Sequence, residues 1–221
     1  CCMGRVTGAD VIPVDAGMLT EVEGMRSIKT AAGTRNLYRE PAMERWQAVQ
    51  ALLGGMAVAQ SLAEEGYTLL AAGEMGIGNT TTTSAVAAVL LGRRAEEVTG
   101  KGAGLTNQGL ARKIAVIDHA IALHRPDPAD PLDVLAKVGG FDIAAMAGVY
   151  LGCARCRVPA IMDGFISTVA ALAAVRLCPA ARDVLIASHL SAEPGAGYVM
   201  EELGFTPLFR LGMALGEGTG L

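Results

Sequence analysis

Thr68-Leu69-Leu70-Ala71-Ala72-Gly73-Glu74-Met75-Gly76-Ile77-Gly78-Asn79-Thr80-Thr81-Thr82-Thr83 is the stretch that decides the fold. An apolar run of strand length, Thr68 to Ala72, meets a glycine-rich turn. The turn opens into a helical run of small and apolar residues, Thr80 to Leu91. Strand, glycine-rich turn and helix form the repeating unit of parallel α/β sheets. Val158 to Met162 repeats the pattern ahead of Asp163-Gly164-Phe165. Val184 to Ala187 repeats it ahead of Ser188-His189-Leu190-Ser191-Ala192-Glu193-Pro194-Gly195. Val11-Ile12-Pro13-Val14 is a further strand candidate, whose proline suits an edge strand or a strand end.

The helical segments lie between these strands. Pro41 sits where a first-turn proline is tolerated. Beyond it Met43, Trp46, Val49, Leu53 and Met56 step by three or four and predict one apolar face. Asn107 to Leu123 reads as an amphipathic helix capped by Asn107, and Asp142 to Ala154 and Phe165 to Leu177 follow. The prolines of Leu123 to Pro131, with Asp127 and Asp130, read as a surface connection. The expected fold is one α/β domain over 1–221, doubly wound, with a mostly parallel sheet flanked by helices.

Composition narrows the function classes. The 221 residues carry a net charge of −4 and show no basic stripe, so nucleic acid is not an expected partner. The longest apolar stretch, Ile161 to Cys178, contains Asp163 and Arg176, which argues against a membrane span. No signal peptide is evident, and a cytoplasmic setting is expected. Cys1, Cys2, Cys153, Cys156 and Cys178 are unevenly spaced and do not read as a disulfide framework. Cys153-Ala-Arg-Cys156 has the CxxC form, but a zinc site needs a second ligand pair. Incidental core cysteines are preferred to metal or redox chemistry, and no metal or cofactor is expected. Cys1 is not an initiator methionine and Leu221 directly follows a glycine-rich motif, so an internal piece of a longer protein is expected.

Four segments carry candidate chemistry. In Gly73 to Thr83, the glycines let a backbone approach a ligand, and helix-start N–H groups with threonine hydroxyls suit an anion. The segment matches neither of the common nucleotide-loop patterns, and a structural turn with capping threonines fits it too. Gly100-Lys101-Gly102-Ala103-Gly104 is a second glycine-rich loop before a helix, equally readable as an anion loop or a connection. Lys113 on that helix offers a point charge to phosphate, although a solvated face is the commoner place for a lysine. His189 at a strand end reads more readily as a structural hydrogen-bonder than as a catalytic group. In Leu211-Gly212-Met213-Ala214-Leu215-Gly216-Glu217-Gly218-Thr219-Gly220, glycines clear the space around Glu217. Apolar Met213 and Leu215 would desolvate that carboxylate and make it a better base, while an exposed turn fits the pattern as well.

Taken in order, these motifs resemble the nicotinate-nucleotide–dimethylbenzimidazole phosphoribosyltransferase family, which builds the lower-ligand nucleotide of cobalamin. The matching pieces are Gly33-Thr34-Arg35-Asn36, Gly73 to Thr82, Gly102 to Leu105, Val138 to Gly148, Asp163 to Ser167, Ser188 to Gly195 and Leu211 to Gly220. The resemblance implies the large α/β domain of a two-domain homodimer, with the N-terminal small-domain part and a C-terminal tail absent from this chain. Glu217 matches the family's general base and Glu74 a second active-site acid. Gly76, Lys113, Gly164 and Ser191 match positions that cradle the nucleotide phosphate. Ile77, Gly78, Asn79 and Thr80 of the loop that holds Gly76 are expected to bind substrate as well. Gly102 and Ala103 match the nicotinate position, and Met75, Met213 and Leu215 the benzimidazole pocket. The implied substrates are nicotinate mononucleotide and 5,6-dimethylbenzimidazole, and the implied products α-ribazole 5′-phosphate and nicotinate. Ala196 departs from the family pattern, which has a histidine after Glu-Pro-Gly. A non-catalytic nucleotide-binding module is the alternative, and Glu217 separates the two readings because binding alone does not need it.

Overall fold

The structure is a computed structural model and describes residues 2–102 and 104–212. It is an α/β fold with small parallel sheets among many helices. Strands β1 (Val14–Asp15) and β2 (Arg26–Ser27) pair in parallel near the N-terminus. Strands β3 (Leu70–Ala72), β4 (Ala160–Met162) and β5 (Leu185–Ala187) form the central sheet, all parallel, in chain order. The register aligns Ala72 with Met162 and Ala187, so the three loops that follow start at one level. Residues 208 and 209 continue along the edge of β5, with Leu208 N–H donating to Ala187 and Phe209 N–H to Ser188.

Helices α1 (Cys2–Thr7) and α2 (Arg45–Glu64) precede β3. Between β3 and β4 come α3 (Thr80–Leu91), α4 (Ala95–Val98), α5 (Asn107–His124), α6 (Pro131–Val138) and α7 (Phe141–Cys156). Helix α8 (Phe165–Leu177) links β4 to a 3₁₀ turn, Pro179–Val184, and α9 (Gly195–Leu203) follows β5. Among the described residues no helix is long and apolar enough to cross a membrane.

Sequence and structure part at α2. The helix begins at Arg45, so Pro41 lies in the turn before it rather than in its first turn. Its buried face is Ala48, Ala51, Leu52, Gly55, Val58, Ala59 and Leu62. Trp46 is 59% exposed and Leu53 48%, so the expected apolar face is not the packed one. The cause is close packing on α7. A Cβ on Gly55 would stand 1.9 Å from the carbonyl oxygen of Ala145. One on Gly148 would stand 1.9 Å from the carbonyl oxygen of Leu52. Two helices that meet backbone to backbone bury their small residues, and a bulky residue has no room in the seam.

Other differences are local. Only Val14 of the expected strand Val11–Val14 is in β1, which runs on to Asp15. Thr106, not Asn107, caps α5, its side chain accepting from Gly109 N–H at 3.1 Å. Pro131 closes the surface connection by opening α6 as a first-turn proline, with Asp130 capping Leu132 and Asp133. Helices α3 and α8 run over the expected residues, Thr80–Leu91 and Phe165–Leu177.

Candidate active site at the strand ends

The loop after β3 is shaped by one carboxylate. Gly76 and Gly78 take left-handed backbone, with φ of +71° and +77°, which glycine adopts without strain. This turns the N–H of Gly76 onto Glu74 Oε2. The amide nitrogen of Asn79 donates to the same oxygen at 2.8 Å and to Asp142 Oδ2 at 2.7 Å. Asp142 sits in the first turn of α7, behind Gly139-Gly140. Burial pushes the Glu74 carboxyl above its ordinary range, and the fields of Asp142 and Asp163 push the same way. Hydrogen bonds from Asn79 and Gly76 act against them. Asn79 Oδ1 is buried and has no hydrogen-bond partner.

One residue along, the loop meets a cation. Lys113 on α5 is only 6% exposed. Its ammonium donates to Thr80 Oγ1 at 2.9 Å and to the carbonyl of Gly100 at 3.1 Å. Burial lowers the pKa of Lys113, and nearby Glu193 acts to raise it. Gly102, at φ +54°, donates its N–H to Glu193 Oε1 at 3.2 Å. Ser191 accepts the N–H of Glu193 within the loop after β5. Gly164 caps α8, and the space where its Cβ would stand is open.

A buried hydroxyl ties two of the loops together. Ser167 Oγ donates to the carbonyl of Ala72 at 3.0 Å and accepts the N–H of Asp163 at 3.0 Å. Its one hydrogen is used on Ala72, so the Tyr150 hydroxyl 2.5 Å away is the donor to Ser167. The end of β3 and the start of the loop after β4 are thus fixed to one atom.

The expected residues divide into groups. Glu74, Gly76 and Asn79 meet, and so do Thr80, Lys113 and Gly102, with Ser191 beside Glu193. Met75 and Ile77 point outward, 66% and 79% exposed. Gly78 and Gly164 border open space. Glu217, Met213, Leu215 and Ala103 lie outside the described residues. The hydroxyls of Thr82 and Thr83 bond the carbonyl of Asn79, so these two members of the threonine run brace their own helix instead of facing an anion. His189 is buried, its Nδ1 3.4 Å from Ser188 Oγ.

Asp142, Asp163 and Glu193 take part without having been expected as site residues. A signal existed in nearby glycines: Gly164 directly follows Asp163, and Gly140 and Gly195 lie two residues from Asp142 and Glu193. Cys153 is buried in α7 with its thiol pushed up to about 12 by burial, a poor state for a ligand or nucleophile. Among the described residues no group of three or more His, Cys, Asp or Glu side chains is placed to hold a metal.

The arrangement offers a half-buried acid with a raised pKa, held by Asn79, and a buried cation held by the next residue, Thr80, at the start of a helix and at the carboxyl ends of parallel strands. Ligands of open parallel sheets bind at such ends. A family model described as phosphoribosyltransferase matches residues 1–221. The nicotinate-nucleotide–dimethylbenzimidazole phosphoribosyltransferase of Desulforudis audaxviator is 52% identical over 99% of this chain and 63% of its own length. The protein of that name from Roseiflexus sp. is 53% identical over the same shares. The crystal structure of CobT from Thermus thermophilus superposes with a TM-score of 0.94 at 43% identity, covering 99% of this chain and 66% of that one. The chain therefore spans about 63% of the length of these curated relatives.

Proposed function

The chain belongs to the phosphoribosyltransferase family, and on that premise we propose that it moves 5-phosphoribose from nicotinate mononucleotide to 5,6-dimethylbenzimidazole. The products are α-ribazole 5′-phosphate and nicotinate, and the reaction serves cobalamin synthesis. The observation that carries this reading is the adjacency of two clusters on one loop. Asn79 anchors the Glu74 carboxylate, and Thr80, the next residue, anchors the Lys113 ammonium. A phosphorylated sugar needs a cation for its phosphate and an acid–base group near its anomeric carbon.

In the proposed reaction one ring nitrogen of the acceptor attacks C1 of the ribose. The C1–N bond to the pyridinium breaks, and its electron pair neutralises the departing ring nitrogen. That leaving group needs no strong general acid. The acceptor's other nitrogen loses its proton to Glu217, the general base. Glu74, held above its ordinary pKa by burial, is the second acid. Lys113, Thr80, Gly76, Gly164 and Ser191 cradle the phosphate, with the N-terminus of α3 adding its dipole. Much of the rate enhancement then comes from positioning. Neither a metal nor a cofactor enters the scheme. A homodimer and a cytoplasmic setting belong to the same proposal.

The test is to incubate the protein that contains these 221 residues with both substrates and look for α-ribazole 5′-phosphate by mass spectrometry. Product formation supports the transferase. Binding of nicotinate mononucleotide without product points instead to a nucleotide-binding module.

A further inference from the structure

Glu193 lies on the loop after β5, next to the phosphate-holding cluster, and the scheme above gives it no task. Its Oε1 accepts the N–H of Gly102. Its Oε2 is buried with no hydrogen-bond partner. A Cβ on Gly100 would stand 1.9 Å from that oxygen, so the loop is bare of side chain where the carboxylate enters. From another side, Lys113 holds the carbonyl of Gly100. An anion therefore grips an N–H of the segment 100–102, and a cation grips a carbonyl of the same segment.

We propose that Glu193 is a positioning residue for the anion site, acting through Lys113 and the segment 100–102 that both hold. The proposal rests on Lys113 being the phosphate-holding cation of the reading above. The neighbours of Lys113 make the dependence specific. On α3 it meets the neutral Thr80 hydroxyl, and on the segment before α5 it meets the neutral Gly100 carbonyl. Among the described residues Glu193 is the charged group whose field acts on it. Burial favours the uncharged amine, and Glu193 opposes that effect. Removing the charge of Glu193 therefore lets Lys113 lose its proton at a lower pH. Gln in place of Glu keeps an oxygen for the N–H of Gly102 and removes only the charge.

The experiment measures calorimetric binding of nicotinate mononucleotide to the protein as a function of pH, with inorganic phosphate as competitor. Five forms are compared, each with its thermal unfolding recorded: wild type, Glu193→Gln, Gly100→Ala, the double variant of these two, and Lys113→Ala. Glu193→Gln is expected to weaken binding about tenfold at neutral pH, the scale of one charge-assisted contact. It is also expected to move the alkaline limb of the binding profile to lower pH. Gly100→Ala displaces the same carboxylate by steric clash and is expected to give a similar loss, with no additivity in the double variant. Tight binding by wild type, loss in Lys113→Ala, and an unshifted limb in folded Glu193→Gln and Gly100→Ala would overturn this proposal alone. Equal binding by wild type and Lys113→Ala would overturn the underlying phosphate-site reading as well.

Discussion

The side-chain nitrogen of Asn79 stands 2.8 Å from Glu74 Oε2, and its second hydrogen is used on Asp142 Oδ2 at 2.7 Å. One neutral amide thus holds two acidic side chains of different elements, and both its donors are spent. A free glutamate titrates near 4.5, and burial raises Glu74 above that value. Between the two pKa values the folded chain keeps a proton that the unfolded chain has released. Stability from this group therefore falls as pH rises through that window and stays lower above it. Glu74→Gln keeps an acceptor oxygen for Gly76 and Asn79 but cannot ionise. The expected result is a higher unfolding midpoint than wild type at neutral pH, a gap that closes at acid pH, and a loss of turnover of roughly 10²-fold. Thermal melts across pH, paired with the product assay, check both halves.

The seam between α2 and α7 gives a sharper stability test. A Cβ on Gly148 would sit 1.9 Å from the backbone oxygen of Leu52, which cannot swing aside as a side-chain tip can. Gly148→Ala is expected to cost about 3 kcal/mol or more, at the upper end of overpacking effects. Gly197 in α9 has nothing within 4 Å of its Cβ position. Gly197→Ala is expected to stabilise by about 0.5–1 kcal/mol through helix propensity and unfolded-state entropy. Equilibrium urea unfolding of the two variants should move the midpoint in opposite directions.

That seam also shows what the residues alone conceal. Periodicity detects large apolar side chains, so Trp46, Leu53 and Met56 stood out in α2. The packed face instead sets Ala48, Ala51, Gly55 and Ala59 among Leu52, Val58 and Leu62, and the contribution of the small residues lies in what they leave out. Helices α3 and α8 were legible over their full span because they are apolar on every side and bounded by glycine-rich turns or strands. Helix α6 was hidden by Pro131, and α9 by Glu193-Pro194-Gly195, both of which read as loops until their place is seen. In the site, glycine flags drew the eye to Glu74 and Lys113. Asp142 and Glu193 act across 63 and 91 residues of chain, a pairing that no local pattern encodes.

Ser167 is expected to matter more than its tyrosine neighbour. Tyr150→Phe removes one donor and leaves Ser167 bonded to Ala72 and Asp163, at a cost of about 1 kcal/mol. Ser167→Ala strips a buried hydrogen-bond partner from Ala72 O, Asp163 N–H and Tyr150 OH together. Each unsatisfied group costs about 1–3 kcal/mol, so the serine variant is expected to lose about twice as much as the tyrosine variant or more. Chemical denaturation measures both. A tyrosine variant as damaging as the serine variant would contradict the donor assignment that makes Ser167 the hub.

Glu217 decides between transferase and binding module. A general base takes the acceptor's proton as the new bond forms, and contributes nothing to holding the nucleotide. Glu217→Gln preserves size and polarity while removing the ability to accept a full proton. In the protein that contains this chain, the variant is expected to bind nicotinate mononucleotide with wild-type affinity. Its turnover should fall by roughly 10²-fold or more, the usual contribution of a positioned base. Because the loss is in the chemical step, it should be seen in kcat with KM little changed. Product assays give the turnover and calorimetry the affinity. Near-normal turnover would remove Glu217 from the mechanism, and Glu74, the other carboxylate of the scheme, would become the residue to test as base.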